Sequence, residues 1–196
     1  MDIPYTVEER SDTRLSNGKL GMWLFLASEA MFFGSLVSAY ALLRFAADDW
    51  PLGSDVLTVP TAAMNTALLI ASSVSMTAAF LAIEAGHLGA FRRWLGLTTL
   101  LGIIFLVVKG YEYREKLSHG LGPEDSTFLA LYFALTGVHA LHLVGGLVVN
   151  LFQLGPGVAL WRRRPEQFVR RIEVTGLYWH FVDLVWLVLF PLLYLT

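Results

Sequence analysis

Five separate apolar stretches, each about as long as a bilayer is thick, decide most of what this chain can fold into. They cover residues 20–45, 62–84, 94–110, 127–154 and 174–195. A helix needs roughly 20 apolar residues to cross the ~30 Å hydrocarbon core. Inside that core each backbone N–H and C=O must be paired within the chain, which leaves helices as the structure for isolated stretches of this kind. Composition agrees: 56% of residues are hydrophobic and 15% charged, against about 45–50% and 25% in soluble domains. The fold class is therefore an all-α integral membrane protein, a five-transmembrane-helix bundle. Residues 1–19 read as a polar tail and 20–196 as one membrane domain, with turn formers between spans at 48–53, Gly86, Gly89, 120–123 and 155–157.

Several function classes drop out early. The chain has no cysteine, which removes disulfides, thiolate metal sites, iron–sulfur clusters and thioether-attached haem. A net charge of −2 makes nucleic acid a poor partner. The first 19 residues carry no apolar run, so no cleaved signal peptide is expected. Orientation follows from lysine and arginine counts. Arg10, Arg14, Lys19, Arg92, Arg93, Arg162, Arg163, Arg164, Arg170 and Arg171 fall on one side, ten in all, against four (Arg44, Lys109, Arg114, Lys116) on the other. That split predicts a cytoplasmic N-terminus and an outside, periplasmic C-terminus. Trp23, Trp94, Tyr111, Tyr113 and Tyr194 near span ends read as interfacial anchors.

Small residues recur at helical spacing on two spans: Ala27, Ala30, Gly34, Ser38 and Ala41 on the first, then Ala67, Ala71, Ser75, Ala78 and Ala82 on the second. Such stripes let helix backbones approach closely in lipid, so both faces are expected to meet other helices.

Polar residues inside spans need reasons, because a charge near the bilayer centre costs about 2.5–3.5 kcal/mol on insertion scales. Glu29 lies about ten residues into the first span. It reads either as a proton-exchanging or reactive carboxyl, or as a neutral acid hydrogen-bonded to a neighbouring helix or a lipid head group. Tyr132, Thr136, His139, His142, Gly146 and Asn150 share one face of the fourth span, and Glu173, Gly176, His180 and Asp183 one face of the fifth. These stripes are expected to face each other. His139 and His142, with His180 opposite, would suit a metal or haem iron. The competing reading, which the count of histidines favours, is an internal hydrogen-bond network with His180 and Asp183 as an intrahelical pair. Asn65, Thr66, Ser72, Ser73 and Ser75 give the second span a surface for interhelical hydrogen bonds. Glu84, Lys109 and Glu112 are placed near span ends, reaching the interface. Arg162, Arg163, Arg164, Arg170 and Arg171 suit anionic lipid head groups, although the positive-inside rule alone also accounts for them.

Read in order, five segments resemble the cytochrome c oxidase subunit III family of the haem–copper oxidases. They are KLGMWLFLASEAMFF (19–33), MNTALLIASS (64–73), YEY (111–113), STF (126–128) running into TGVHALH (136–142), and Glu173 followed by YWHFVDLVW (178–186). The last is the most specific. The resemblance implies a non-catalytic core subunit of a proton-pumping oxygen reductase in the bacterial plasma membrane. It packs mainly on subunit I, with subunit II also in the complex, binds phospholipid between its helices, and supports proton uptake and the durability of the catalytic subunit. Haems and copper are implied in subunits I and II, with no cofactor, no metal and no catalytic residue in this chain. Glu29 matches the family's carbodiimide-reactive carboxyl. His139, His142, Glu173, His180 and Asp183 match polar positions inside the family's bundle. Many members carry two further helices at the N-terminus; this chain resembles the five-helix bacterial form, so the lipid sites of that arm are not carried over.

The same residues would serve a quinol oxidase or a nitric oxide reductase. An independent membrane haem protein using His139 and His180 is the reading from another class, and a transporter would want a broken helix or inverted repeats, neither of which is visible.

Overall fold

The structure, a computed structural model, describes residues 15–196; Arg10 and Arg14 lie outside the described residues. Five helices are long and apolar enough to cross a membrane: α1 (Asn17–Ala46), α3 (Val59–Glu84), α4 (Leu88–Ser118), α5 (Thr127–Leu154) and α7 (Pro165–Tyr194). Short α2 (Gly53–Val56) and α6 (Ala159–Arg163) sit in the connections.

Local chemistry sets the helix ends. Ser16 and Ser126 cap α1 and α5, their hydroxyls accepting from Lys19 N (3.4 Å) and Leu129 N (3.1 Å). Gly86 and Gly120, at φ 79° and 72°, close α3 and α4. In each case the next amide reaches back to a carbonyl five residues earlier, His87 to Ala82 and Leu121 to Lys116, so the last carbonyls are not left bare. Pro165 opens α7, where its missing N–H is harmless.

Two spans are longer than hydropathy predicts. α4 runs to Ser118, past the expected end at residue 110, and α7 starts at Pro165, nine residues before residue 174. A hydropathy window stops at charge, but a helix stops only where its backbone bonds fail. In α4 the charged turns continue because Lys109 and Glu112 are buried against other helices, which corrects their expected place at the interface. In α7 the first turns carry Glu166, Arg170, Arg171 and Glu173 outside the apolar stretch.

Four spans form a ring: α3 packs along α4 and α7, and α5 along the same two. α1 lies outside, against α7 and α5, with few of its residues buried. The ring is filled by Phe105, Phe128, Tyr132, Trp179, Trp186 and Tyr194, each at most 1% exposed. Trp179 needs two glycines to fit: a Cβ on Gly102 would sit 2.9 Å from its ring, and one on Gly146 3.0 Å. Both indoles donate to α3, Trp179 to Ser72 Oγ (3.1 Å) and Trp186 to Thr66 Oγ1 (3.0 Å), as the hydroxyl-rich second span suggests. Tyr194 is fully buried among these rings and Tyr113 bonds Thr136, so neither is the interfacial anchor expected; Trp23, Trp94 and Tyr111 are exposed near helix ends. The α1 stripe faces outward, with nothing within 4 Å of a Cβ at Gly34. Of the α3 stripe only Ser75 is buried, while Ala67 and Ala71 are exposed.

Candidate functional site

The polar residues of the spans fall into four separate settings. At mid-depth on the outside of the ring, Glu29 Oε2 lies 3.0 Å from His142 Nε2, the two side chains being 18% and 19% exposed. His142 Nδ1 is 2.9 Å from the carbonyl of Val138, four residues back. A carbonyl only accepts, so Nδ1 is the donor there and Nε2 is the nitrogen that faces the carboxyl. Glu29 and His142 are therefore a hydrogen-bonded acid–base pair that joins α1 to α5. Phe33 packs edge-on to the imidazole, and Tyr178 donates to the His142 carbonyl at 2.8 Å. Glu29 thus has the neighbouring-helix partner that one sequence reading asked for.

The three histidines do not converge. His142 turns to α1, while His139 is wedged between Trp186 and Phe105 with both ring nitrogens unpartnered among the described residues. His180 turns to α3, its Nδ1 2.7 Å from Ser73 Oγ. Among the described residues no three His, Cys, Asp or Glu side chains are grouped to hold a metal ion. The two polar stripes do not face each other, because the residues of each point to different neighbours around their helix. Nor are His180 and Asp183 a pair: Asp183, 5% exposed, has both carboxyl oxygens without a normal hydrogen bond among the described residues, with Ser73 as its polar neighbour.

Glu173 leaves the internal network too. It sits at the other end of α7, bound to Lys19 Nζ (2.5 Å) and Arg170 (3.2 Å), and so ties α1 to α7. Arg162, Arg163 and Arg164 are exposed just before α7 begins, whereas Arg170 is taken by Glu173 and Arg171 has interactions of its own.

The fourth setting is one that sequence reasoning missed. Lys109 and Glu112, 2% and 3% exposed, lie inside the ring. The ammonium donates to Glu112 Oε2 (3.0 Å), to the Tyr132 hydroxyl (3.0 Å) and to the Tyr194 hydroxyl, using its three N–H groups. Both phenols in turn donate hydrogen bonds to Glu112 Oε1, at 2.8 and 2.9 Å. The rings of Tyr132, Trp186 and Tyr194 surround the ammonium at 4.9–5.1 Å, a favourable arrangement for a desolvated cation. One turn on, Lys116 donates to the Val56 carbonyl at 2.8 Å and holds the α2 segment down. The signal was present: Lys109, Glu112 and Lys116 recur at steps of three and four, so they share a face.

The frame is thus a multi-pass helical membrane protein whose spans hold two acid–base pairs, Lys109 with Glu112 and Glu29 with His142. Residues 9–196 match the family model for cytochrome c oxidase subunit III. The chain is 38% identical over 183 residues to cytochrome c oxidase subunit 3 of Thermostichus vulcanus, covering 90% of this chain and 86% of that one. It is 36% identical over 176 residues to the probable cytochrome c oxidase subunit 3 of Mycobacterium tuberculosis, covering 89% and 86%. It is 34% identical over 180 residues to the cytochrome bo(3) ubiquinol oxidase subunit 3 of Pseudomonas aeruginosa, covering 91% and 85%. The chain belongs to the cytochrome c oxidase subunit III family, the third subunit of haem–copper oxidases.

Proposed function

We propose that this chain is the non-catalytic core subunit III of a proton-pumping terminal oxidase that reduces O2 to water in the bacterial plasma membrane. The observation that carries the reading is the family match along residues 9–196, which includes all five spans. In this reading the chain packs mainly on subunit I, subunit II completes the core, and those two hold the haems and copper. Residues 1–19 are a cytoplasmic tail, 20–196 the membrane domain, and the C-terminus lies outside; the ten-to-four distribution of lysine and arginine supports that orientation. The exposed arginines 162–164 offer contacts to phospholipid head groups.

The role that fits is mechanical support. Glu29 is committed to His142 and the Lys109–Glu112 cluster is closed on itself, so neither needs to act in a redox step. Affinity purification of the chain from its host, with mass-spectrometric identification of co-purifying subunits and a reduced-minus-oxidised spectrum, tests this. Co-purification with a haem–copper subunit supports it; a Soret band in the chain purified alone would replace it with an independent haem protein. Removal of the chain is expected to leave an oxidase that starts at full rate and loses activity sooner over successive turnovers. Equal lifetimes with and without it would count against the support role. A quinol-oxidase version is the second reading, favoured by the similarity to the Pseudomonas aeruginosa protein; cytochrome c against quinol as reductant in turnover assays separates the two.

A further inference from the structure

The mid-membrane groove along the α3–α7 seam presents polarity that the described residues satisfy only in part. Ser73 is the fifteenth of 26 residues in α3, near the middle of that span, and His180 lies level with it at 2.7 Å. Ser73 occupies one imidazole nitrogen at 2.7 Å. The other has only the Thr77 hydroxyl at 3.4 Å, too long for a good bond, and that hydroxyl already donates to the Ser73 carbonyl at 3.2 Å. Thr77 is exposed, and beside Ser73 stands the carboxyl of Asp183, without a normal hydrogen bond among the described residues. Helical spacing from Ser73, Thr77 and His180 puts exposed apolar side chains on the same faces: Ile70, Val74 and Leu81 on α3, Leu184 and Leu187 on α7.

Hydrocarbon cannot complete these bonds, and a side chain seeking them gains nothing from lipid tails. Lipid head groups lie about 15 Å away from the centre of a ~30 Å core. The occupant with the right reach is another helix, whose apolar residues fit the rim and whose polar side chain fits the centre. We propose that this groove is a docking site for a transmembrane helix of a partner subunit, which brings a hydroxyl or amide side chain to His180 Nε2. The other face differs: at similar depth Glu29 and His142 hold each other at 3.0 Å, whereas His180 Nε2 has only Thr77 at 3.4 Å and both Asp183 oxygens lack a normal hydrogen bond among the described residues.

The proposal rests on the reading of the chain as a subunit of a larger membrane complex. It is tested on that complex, purified with its native subunits and carrying photoreactive benzoylphenylalanine at Val74 beside the groove. The expected product is an adduct with an identified transmembrane segment of another subunit that contains a serine, threonine, asparagine or glutamine. Adducts with lipid alone, or with a second copy of this chain, overturn the docking site. His180→Leu is expected to weaken retention of the chain by about three- to tenfold, the range of a single interhelical hydrogen bond. Thr77→Trp fills the groove from its exposed side while leaving Ser73–His180 in place, and is expected to lower retention at least as much. Unchanged retention of Thr77→Trp overturns the proposal even if His180→Leu fails to fold. The oxidase reading fails separately, by absence of haem–copper subunits from the preparation; an adduct with whichever identified membrane subunit is present would then still support the groove.

Discussion

Glu29 and Glu112 are both carboxyls within membrane-spanning helices, and the chain houses them in opposite ways. Glu29 projects from the peripheral helix α1, has one partner, and keeps 18% of its side chain accessible. Glu112 is inside the ring, 3% exposed, with both oxygens bound and a fixed ammonium beside it. The first arrangement adapts to the loss of a charge by moving one proton or one side chain. The second is complete only when all four groups are present, because each phenol is at once acceptor from Lys109 and donor to Glu112. Closed networks of this kind define one geometry strongly and tolerate deletion poorly.

The sharpest test of that difference removes half of the buried pair. Lys109→Met or Glu112→Leu alone is expected to cost about 3–5 kcal/mol, since the remaining charge has no water to retreat to. Yield and thermal stability in detergent should collapse for either. The double variant Lys109→Met/Glu112→Leu should recover much of that loss, because an apolar pair of similar volume avoids both desolvation costs. A double variant no better than the singles would show that the phenols, rather than the ion pair, hold this end of the bundle together. Next in size is Gly102→Leu, which drives a side chain into Trp179 and should cost about 1–3 kcal/mol as overpacking. Differential scanning fluorimetry reads it, and no shift would mean that Trp179 has room to rotate away.

Smaller effects are expected toward the periphery. Glu173→Gln removes the ion pairs with Lys19 and Arg170 and should cost about 0–1 kcal/mol, as partly exposed pairs do. Its readout is local: proteolysis near the start of α1 should quicken while the global melt barely moves. Smallest is Glu29→Gln, whose amide can still donate to His142 Nε2. The complex should assemble and reduce oxygen at close to the normal rate. A fully assembled Glu29→Gln complex without turnover would make this pair part of the reaction and erase the contrast drawn above.

Helix number and order were legible in the sequence because an apolar run of bilayer length has one structural solution. Helix ends were legible where a capping serine or a left-handed glycine stood, and illegible where charge continued inside a helix, as at Lys109. Periodicity placed Tyr132, Thr136, His139 and Asn150 on one buried face of α5, but could not tell that His142 looks past that face to α1. A stripe is a property of one helix, whereas a partner depends on the rotation of two. For that reason His180 was paired with Asp183 by spacing and with Ser73 by packing. Lys109 shows a related limit: a charge near the end of an apolar window reads as reaching water, although aromatic hydroxyls on α5 and α7 have the matching chemistry.

α7 touches every other span: Tyr178 and Phe181 meet α5 and α1, Trp179 and Trp186 bond α3, and Tyr194 closes the cluster on α4. It is also the last of the five to leave the ribosome. Until it arrives, Ser72 and Thr66 lack their indole donors, Gly102 and Gly146 face an unfilled slot, and Lys109 lacks one of its three acceptors. At roughly 5–20 residues per second, synthesis of these 30 residues takes on the order of seconds. During that interval the four earlier helices are a substrate for membrane quality control, and the arrival of α7 is the event that ends their exposure.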